Sequence, residues 1–246
     1  MSTENEPARK LDEGQPGITR TFTAVIATLV VLTVLMVTIR SQEPVGAGIY
    51  YDDGAYLALG RSLATGEGYV YSNLPGAVPG VKYPPGYPAV LAATWTAFSQ
   101  YPENLRALKA LNALFWGLAA GGTFLLFARG RWPRVVVVGA VTLYAFLTIP
   151  SMSVSTVLLS EPLFLLACVG ALLLAARDPQ RVLEPGADPA AGFRWPGGEP
   201  GWVVAVGAAG AIALLTRSIG LTLAAALLIP LIIGRRWRSA GLLTAV

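Results

Sequence analysis

Apolar residues in this chain come in long unbroken runs rather than in alternation or on one helical stripe. Six runs stand out: Phe22 to Ile39, Leu105 to Ala128, Val135 to Pro150, Pro162 to Ala176, Trp202 to Leu215 and Ile219 to Ile233. Crossing a bilayer as a helix takes ~20 apolar residues, and several runs approach that length. The pattern predicts an all-α fold, a polytopic transmembrane helical bundle of about six spans. A further apolar segment, Pro84 to Phe98, is only about 15 residues long and opens on two prolines, which suits a re-entrant or interfacial helix better than a span. The expected organisation is a disordered cytoplasmic tail over 1–20, a first span over 21–40, an outer loop with short interfacial helices over 41–104, and a helical bundle over 105–246. The chain reaches Val246 as SAGLLTAV begins another apolar run, so the architecture is expected to continue beyond it.

Composition agrees. The chain is 54% hydrophobic and 13% charged, against ~25% charged in a typical soluble domain. Its single cysteine, Cys168, lies in an apolar run and leaves no internal disulfide to form. With no histidine, a His/Cys zinc site is excluded. The net charge of +4 is no nucleic-acid signature, because the basic residues sit in short loops between runs, where they orient a protein in the membrane. A signal peptide is not expected, since the polar start is long and partly acidic and no small-residue cleavage site follows the first run.

Those basic residues decide how the ambiguous segment is read. If Pro84–Phe98 does not cross, six of the eighteen Lys and Arg (Arg40, Arg61, Lys82, Arg106, Lys109 and Arg217) fall outside and twelve inside. If it crosses, every later loop flips and the ratio reverses. The positive-inside rule selects the first topology, with a cytoplasmic N-terminus in the plasma membrane. Asp52, Asp53, Lys82, Glu161 and Arg217 then share the outer face. The Pro- and Gly-rich stretch from Arg177 to Gly201 becomes an inner connector.

Candidate chemistry concentrates between Tyr50 and Pro88, a polar, aromatic, Gly/Pro-rich loop in an otherwise greasy chain. Asp52 and Asp53 precede a segment in which Tyr56, Leu59 and Leu63 share a helical face, which predicts a short amphipathic helix lying on the membrane. Aspartate is also a favoured helix cap. One aspartate is therefore expected to cap while the other accepts or orients a hydroxyl proton. Glu161, before Pro162 at the outer end of a run, is either part of a helix start, with Ser160, or a second active-site acid. Lys82 and Arg217 can snorkel to lipid headgroups or neutralise a leaving phosphate. Arg106 opens the second span, as an interfacial anchor or the partner of an outer carboxylate. The tyrosines at 50, 51, 69, 71, 83 and 87 read mostly as interfacial aromatics, the alternative for one or two being to stack on a sugar ring.

The order of these features resembles the GT-C superfamily of integral-membrane glycosyltransferases, nearest to the protein O-mannosyltransferases and the lipid A aminoarabinose transferases. The resemblance rests on one span, an acidic pair with tyrosine four residues on (Asp52 to Tyr56), Lys-x-Pro-Pro (Lys82 to Pro85), an Arg-led span at Arg106, and Ser-Glu-Pro-Leu around Glu161. It covers roughly Phe22 to Ala176 and continues more weakly to Arg217. It implies transfer of a sugar from a polyprenyl-phosphate donor to an acceptor hydroxyl on a glycan, lipid or protein at the outer face. On this likeness Asp52 is the essential acid of the first outer loop and Asp53 the lesser candidate. Lys82 lies near the donor phosphate, Glu161 is the acid of the second outer loop, and Arg106 and Tyr56 support them. No cofactor is implied; metal use varies within the family, and no metal cluster is evident here. The competing expectations are a multi-span transporter or lipid flippase, and a truncated non-catalytic subunit of a cell-envelope assembly complex. Charges at run ends rather than mid-run weigh against transport.

Overall fold

The computed structural model describes residues 16–42, 47–48, 51–128, 136–141, 157–177 and 198–246. The tail up to residue 15, most of the expected span Val135–Pro150, Tyr50, and 178–197 of the expected connector lie outside the described residues. The elements are α1 (Pro16–Arg40), α2 (Tyr51–Ala64), β1 (Val70–Tyr71), β2 (Val78–Pro79), α3 (Gly86–Ala97), α4 (Leu105–Phe127), α5 (Glu161–Ala175), α6 (Gly198–Thr216), α7 (Gly220–Ile233) and α8 (Trp237–Ala245). Residues 136–141 are also helical.

Five of the six apolar runs form helices, as expected, and of the sixth the described residues 136–141 are helical. Three are long and apolar enough to cross a membrane: Thr21–Arg40 within α1, α4, and α6. The apolar helices α5 and α7 have 15 and 14 residues. At 1.5 Å per residue they reach about 21–23 Å, short of a ~30 Å hydrocarbon core. The expectation of six spans is thus met in length by three helices among the described residues. α1 is described from Pro16, inside the stretch expected to be a tail. On α1, Phe22, Val25, Leu29, Leu32, Met36 and Ile39 form an exposed apolar stripe, a surface that a soluble protein rarely leaves open. The opposite face, with Ala27, Val30 and Val34, is buried with Trp116, Ala120 and Phe124 of α4.

Close contacts fix the helix directions. A side chain at Gly121 would meet Val31 at 2.3 Å and the Ala27 carbonyl at 3.3 Å, while one at Gly117 would meet the Val31 carbonyl at 3.1 Å and the Leu35 Cβ at 3.5 Å, so α1 and α4 run antiparallel with almost no space between them. Gly122, on another face of α4, meets Val169 of α5 in the same way at 2.7 Å. Small residues are what lets apolar helices approach this closely. Asn112 near the start of α4 bonds the Val157 and Leu159 carbonyls just before α5, so α4 and α5 run parallel and the chain between them returns from one end of the bundle to the other. The Trp202 indole N–H donates to the Leu174 carbonyl at 2.8 Å, while Arg217 pairs with Glu161, which makes α5 and α6 antiparallel. One end of the bundle therefore gathers the close of α1, the starts of α4 and α5, the close of α6 and the start of α7.

Over that end lie α2 and α3. The stripe Tyr56 and Leu59, expected to rest on lipid, faces α3 instead and is buried with Tyr87, Leu91 and Trp95. Gly60 makes the crossing possible: a Cβ there would sit 2.9 Å from the Leu91 Cβ. α3 covers the ambiguous Pro84–Phe98 segment in 12 residues, about 18 Å, too short to cross. Its first residue, Gly86, abuts the end of α6, where a Cβ would stand 2.6 Å from the Leu215 carbonyl oxygen. The hairpin β1–β2, paired antiparallel, joins α2 to the segment that carries Lys82.

Candidate functional site

The two adjacent aspartates have separate fates. Asp53 is fully buried at 0% exposure; its Oδ2 accepts from the Gly48 amide and its Oδ1 from the Gly54 amide, both at 2.8 Å. It ties the preceding loop to the first turn of α2 and, unlike Asp52, is buried from solvent. Successive helix positions point about 100° apart, so Asp52 faces outward, 49% exposed in its side chain. The Tyr83 hydroxyl donates to Asp52 Oδ1, and the Lys82 ammonium stands 3.7 Å from the same oxygen. Asp52 Oδ2 has no hydrogen-bond partner among the described residues. Lys82 also lies 4.9 and 4.8 Å from the ring centres of Tyr51 and Tyr83, within cation–π range.

A second charged pair lies beside the first. Glu161, in the first turn of α5, binds Arg217, just past α6, through Oε1. Its Oε2 is buried without a hydrogen-bond partner among the described residues. Ser160 occupies the helix-cap position of α5 but makes no capping bond. Its hydroxyl is engaged elsewhere, 3.0 Å from the Tyr56 hydroxyl and 3.4 Å from Arg217 Nη1. The Tyr56 ring packs on Tyr83 at 4.7 Å and edge-on to Tyr87 at 5.0 Å. A continuous path of contacts thus runs from Lys82 and Asp52 through Tyr83, Tyr56 and Ser160 to Arg217 and Glu161. Residues up to 165 positions apart in the chain meet at one end of the bundle.

The phenols on this path stay protonated. Burial raises the Tyr83 pKa, and the hydrogen bond to the Asp52 carboxylate raises it further. Burial is also the main cause at Tyr56, opposed by the Ser160 hydrogen bond and the Arg217 charge. Both phenols are therefore neutral at physiological pH.

Of the residues singled out in the sequence, Asp52, Tyr56, Lys82, Glu161 and Arg217 come together. Arg106 does not: it is exposed at the start of α4 and has no ion-pair partner among the described residues. Three participants went unread as site residues. Tyr83 was grouped with the interfacial aromatics, Ser160 with helix starts, and Asn112 carried no signal beyond being polar within an apolar run. That signal was usable, because an amide there needs a partner. Asn112 has three, accepting from the Tyr87 hydroxyl at 3.1 Å and donating to two carbonyls. Among the described residues no three acidic, cysteine or histidine side chains converge as a metal site. Comparisons with protein-family models, curated proteins and solved structures return no match.

Proposed function

We propose that this chain is an inverting membrane glycosyltransferase that moves a sugar from a polyprenyl-phosphate carrier to an acceptor hydroxyl at the outer face of the plasma membrane, with the N-terminus cytoplasmic. The observation that carries the reading is the pairing of a half-exposed carboxylate, Asp52, with an exposed cation, Lys82, beside apolar helices suited to hold a lipid. One oxygen of Asp52 is oriented by Tyr83 and Lys82, and the other is open to a hydroxyl. In the proposed reaction the acceptor O–H gives its proton to Asp52 Oδ2 as its oxygen bonds to the anomeric carbon. The bond from that carbon to the phosphate oxygen breaks with inversion, and polyprenyl phosphate departs as an anion stabilised by Lys82. Arg217 is largely committed to Glu161 and adds positive charge from further back. Glu161 holds Arg217 in that position through Oε1.

The test uses the purified full chain in liposomes supplied with radiolabelled polyprenyl-phosphate hexoses and pentoses and a mixed acceptor extract. Transfer by the wild type that falls at least 100-fold in Asp52→Asn, with an unchanged melting temperature, is the expected result. Transfer that survives Asp52→Asn, or its absence with every donor, overturns the assignment.

A further inference from the structure

The outward face of α2 carries a feature that the charged path does not use. Gly54, Leu57, Ala58 and Arg61 recur at helical spacing and form one wall of a groove, left open at Gly54 and Ala58. Two adjoining hollows, of ≈ 390 and ≈ 630 Å³, share Arg61, Trp95 and Tyr101 as lining. Trp95 and Tyr101 stack in parallel, 5.8 Å between ring centres and 10° between planes. Trp95 is 7% exposed and Tyr101 is 55% exposed, so the buried indole backs a tyrosine ring that is itself presented to solvent. Around it stand Arg61, Glu67, Ser72 and Asn73, all exposed.

The chemistry of this lining is selective. An aromatic face is electron-rich and complements the weakly positive C–H face of a sugar ring. The rim supplies what hydroxyl groups need: a guanidinium and an amide as donors, and a carboxylate and an amide oxygen as acceptors. Hydrogen bonds from Ser72 and Thr65 hold the Glu67 carboxyl below its usual pKa, so it is a fixed acceptor at neutral pH. Arg61 has no ion-pair partner among the described residues. A lipid chain would find too many polar groups here, and a phosphate would find only one cation opposite a carboxylate. From Gly54 to Thr65 the groove follows α2 for about 16 Å, longer than one sugar ring. Gly54 follows Asp52 by two residues, about 200° around the helix, so the groove lies on the opposite side of α2 from Asp52.

We infer that this groove is a carbohydrate-binding subsite, with Tyr101 as its stacking platform and Arg61, Glu67 and Asn73 as its hydroxyl-binding rim. Its ligand is a neutral oligosaccharide. That this ligand is the acceptor glycan rests on the transferase reading; that a sugar binds does not. On that reading the acceptor is a glycan rather than a protein or a lipid.

The full chain in lipid nanodiscs, immobilised for interferometry, would be titrated with di- to hexasaccharides of mannose, glucose, galactose and arabinose. The wild type is expected to bind at least one of these series, more tightly as the chain lengthens. Loss of the stacking ring in Tyr101→Ala weakens binding about three- to tenfold, and Arg61→Gln, which alters an exposed side chain and spares the fold, does so by a similar factor. Arg235→Gln at the far end of the bundle leaves it unchanged. No binding by any series, or wild-type affinity in both groove variants, overturns the inference. Sugar binding that follows this pattern while transfer survives Asp52→Asn leaves the subsite standing and removes the transferase assignment. Transfer that depends on Asp52 without any oligosaccharide binding does the reverse.

Discussion

Ser160 shows how one hydroxyl can be redirected by its surroundings. Before a helix that begins Glu-Pro, it is placed to cap, yet its oxygen joins Tyr56 to Arg217. The backbone loses little, because Pro162 has no amide to satisfy. Ser160→Ala should lower stability by about 1 kcal/mol, read as a lower denaturant midpoint, and should uncouple Tyr56 from the Arg217–Glu161 pair. The phenols give the path a pH dependence. Tyr56 and Tyr83 are held protonated above their ordinary value of 10.0, so the folded state binds more protons than the unfolded chain above that pH. Their stabilising contribution is complete below pH 10 and is lost as pH rises through the folded values. A melting temperature that begins to fall near pH 10, in step with tyrosinate absorbance and less steeply in Tyr83→Phe, would check this. The charged residues were readable in the sequence because carboxylates and cations are scarce in a chain this apolar. Tyr83 and Ser160 were not, since their roles exist only through partners 31 and 104 positions away, and no local spacing encodes such a meeting.

The helices are positioned by a few contacts with no room to spare. Asn112 fastens the segment before α5 to α4 and to Tyr87 of α3. In Asn112→Leu, two buried carbonyls lose their donor, and stability should fall by about 1–3 kcal/mol, with Glu161 and Ser160 displaced as a unit. Gly86→Val would force α3 away from the Leu215 backbone and should cost a comparable amount through overpacking. Thermal unfolding of the reconstituted chain would measure both. Element identity was the readable part of the fold: long apolar runs became helices, and Pro84–Phe98 became a helix too short to cross. The orientation of α2 was not readable. Tyr56, Leu59 and Leu63 mark an apolar stripe equally well whether lipid or another helix covers it, and Gly60, which lets α3 come so close, looks in the sequence like any glycine in a helix.

Across the molecule, the parallel course of α4 and α5 places every charged member of the path at one end. The Glu199–Arg236 pair, with Ser239 bonded to the same carboxylate, marks the other end. Single cysteines in a Cys168→Ser background should therefore react with a membrane-impermeant thiol reagent in intact cells at Ser72→Cys and Ser218→Cys, and not at Arg238→Cys. Labelling of Arg238→Cys with protection of the other two would place the site on the cytoplasmic side. The expectation that this end lies outside comes from the counts of Lys and Arg, because orientation depends on those and not on packing. The seam between α3 and α6 carries a consequence for anyone transplanting this loop. Because Gly86 rests directly on the Leu215 backbone, the stretch around Lys82 takes its height and angle from the end of α6 and not from its own hairpin. Moved into a foreign helical scaffold, residues 51–97 would keep their internal packing and lose their bearing on Arg217 and Glu161. The smallest portable unit includes the junction of α6 with α7, more than a hundred residues downstream.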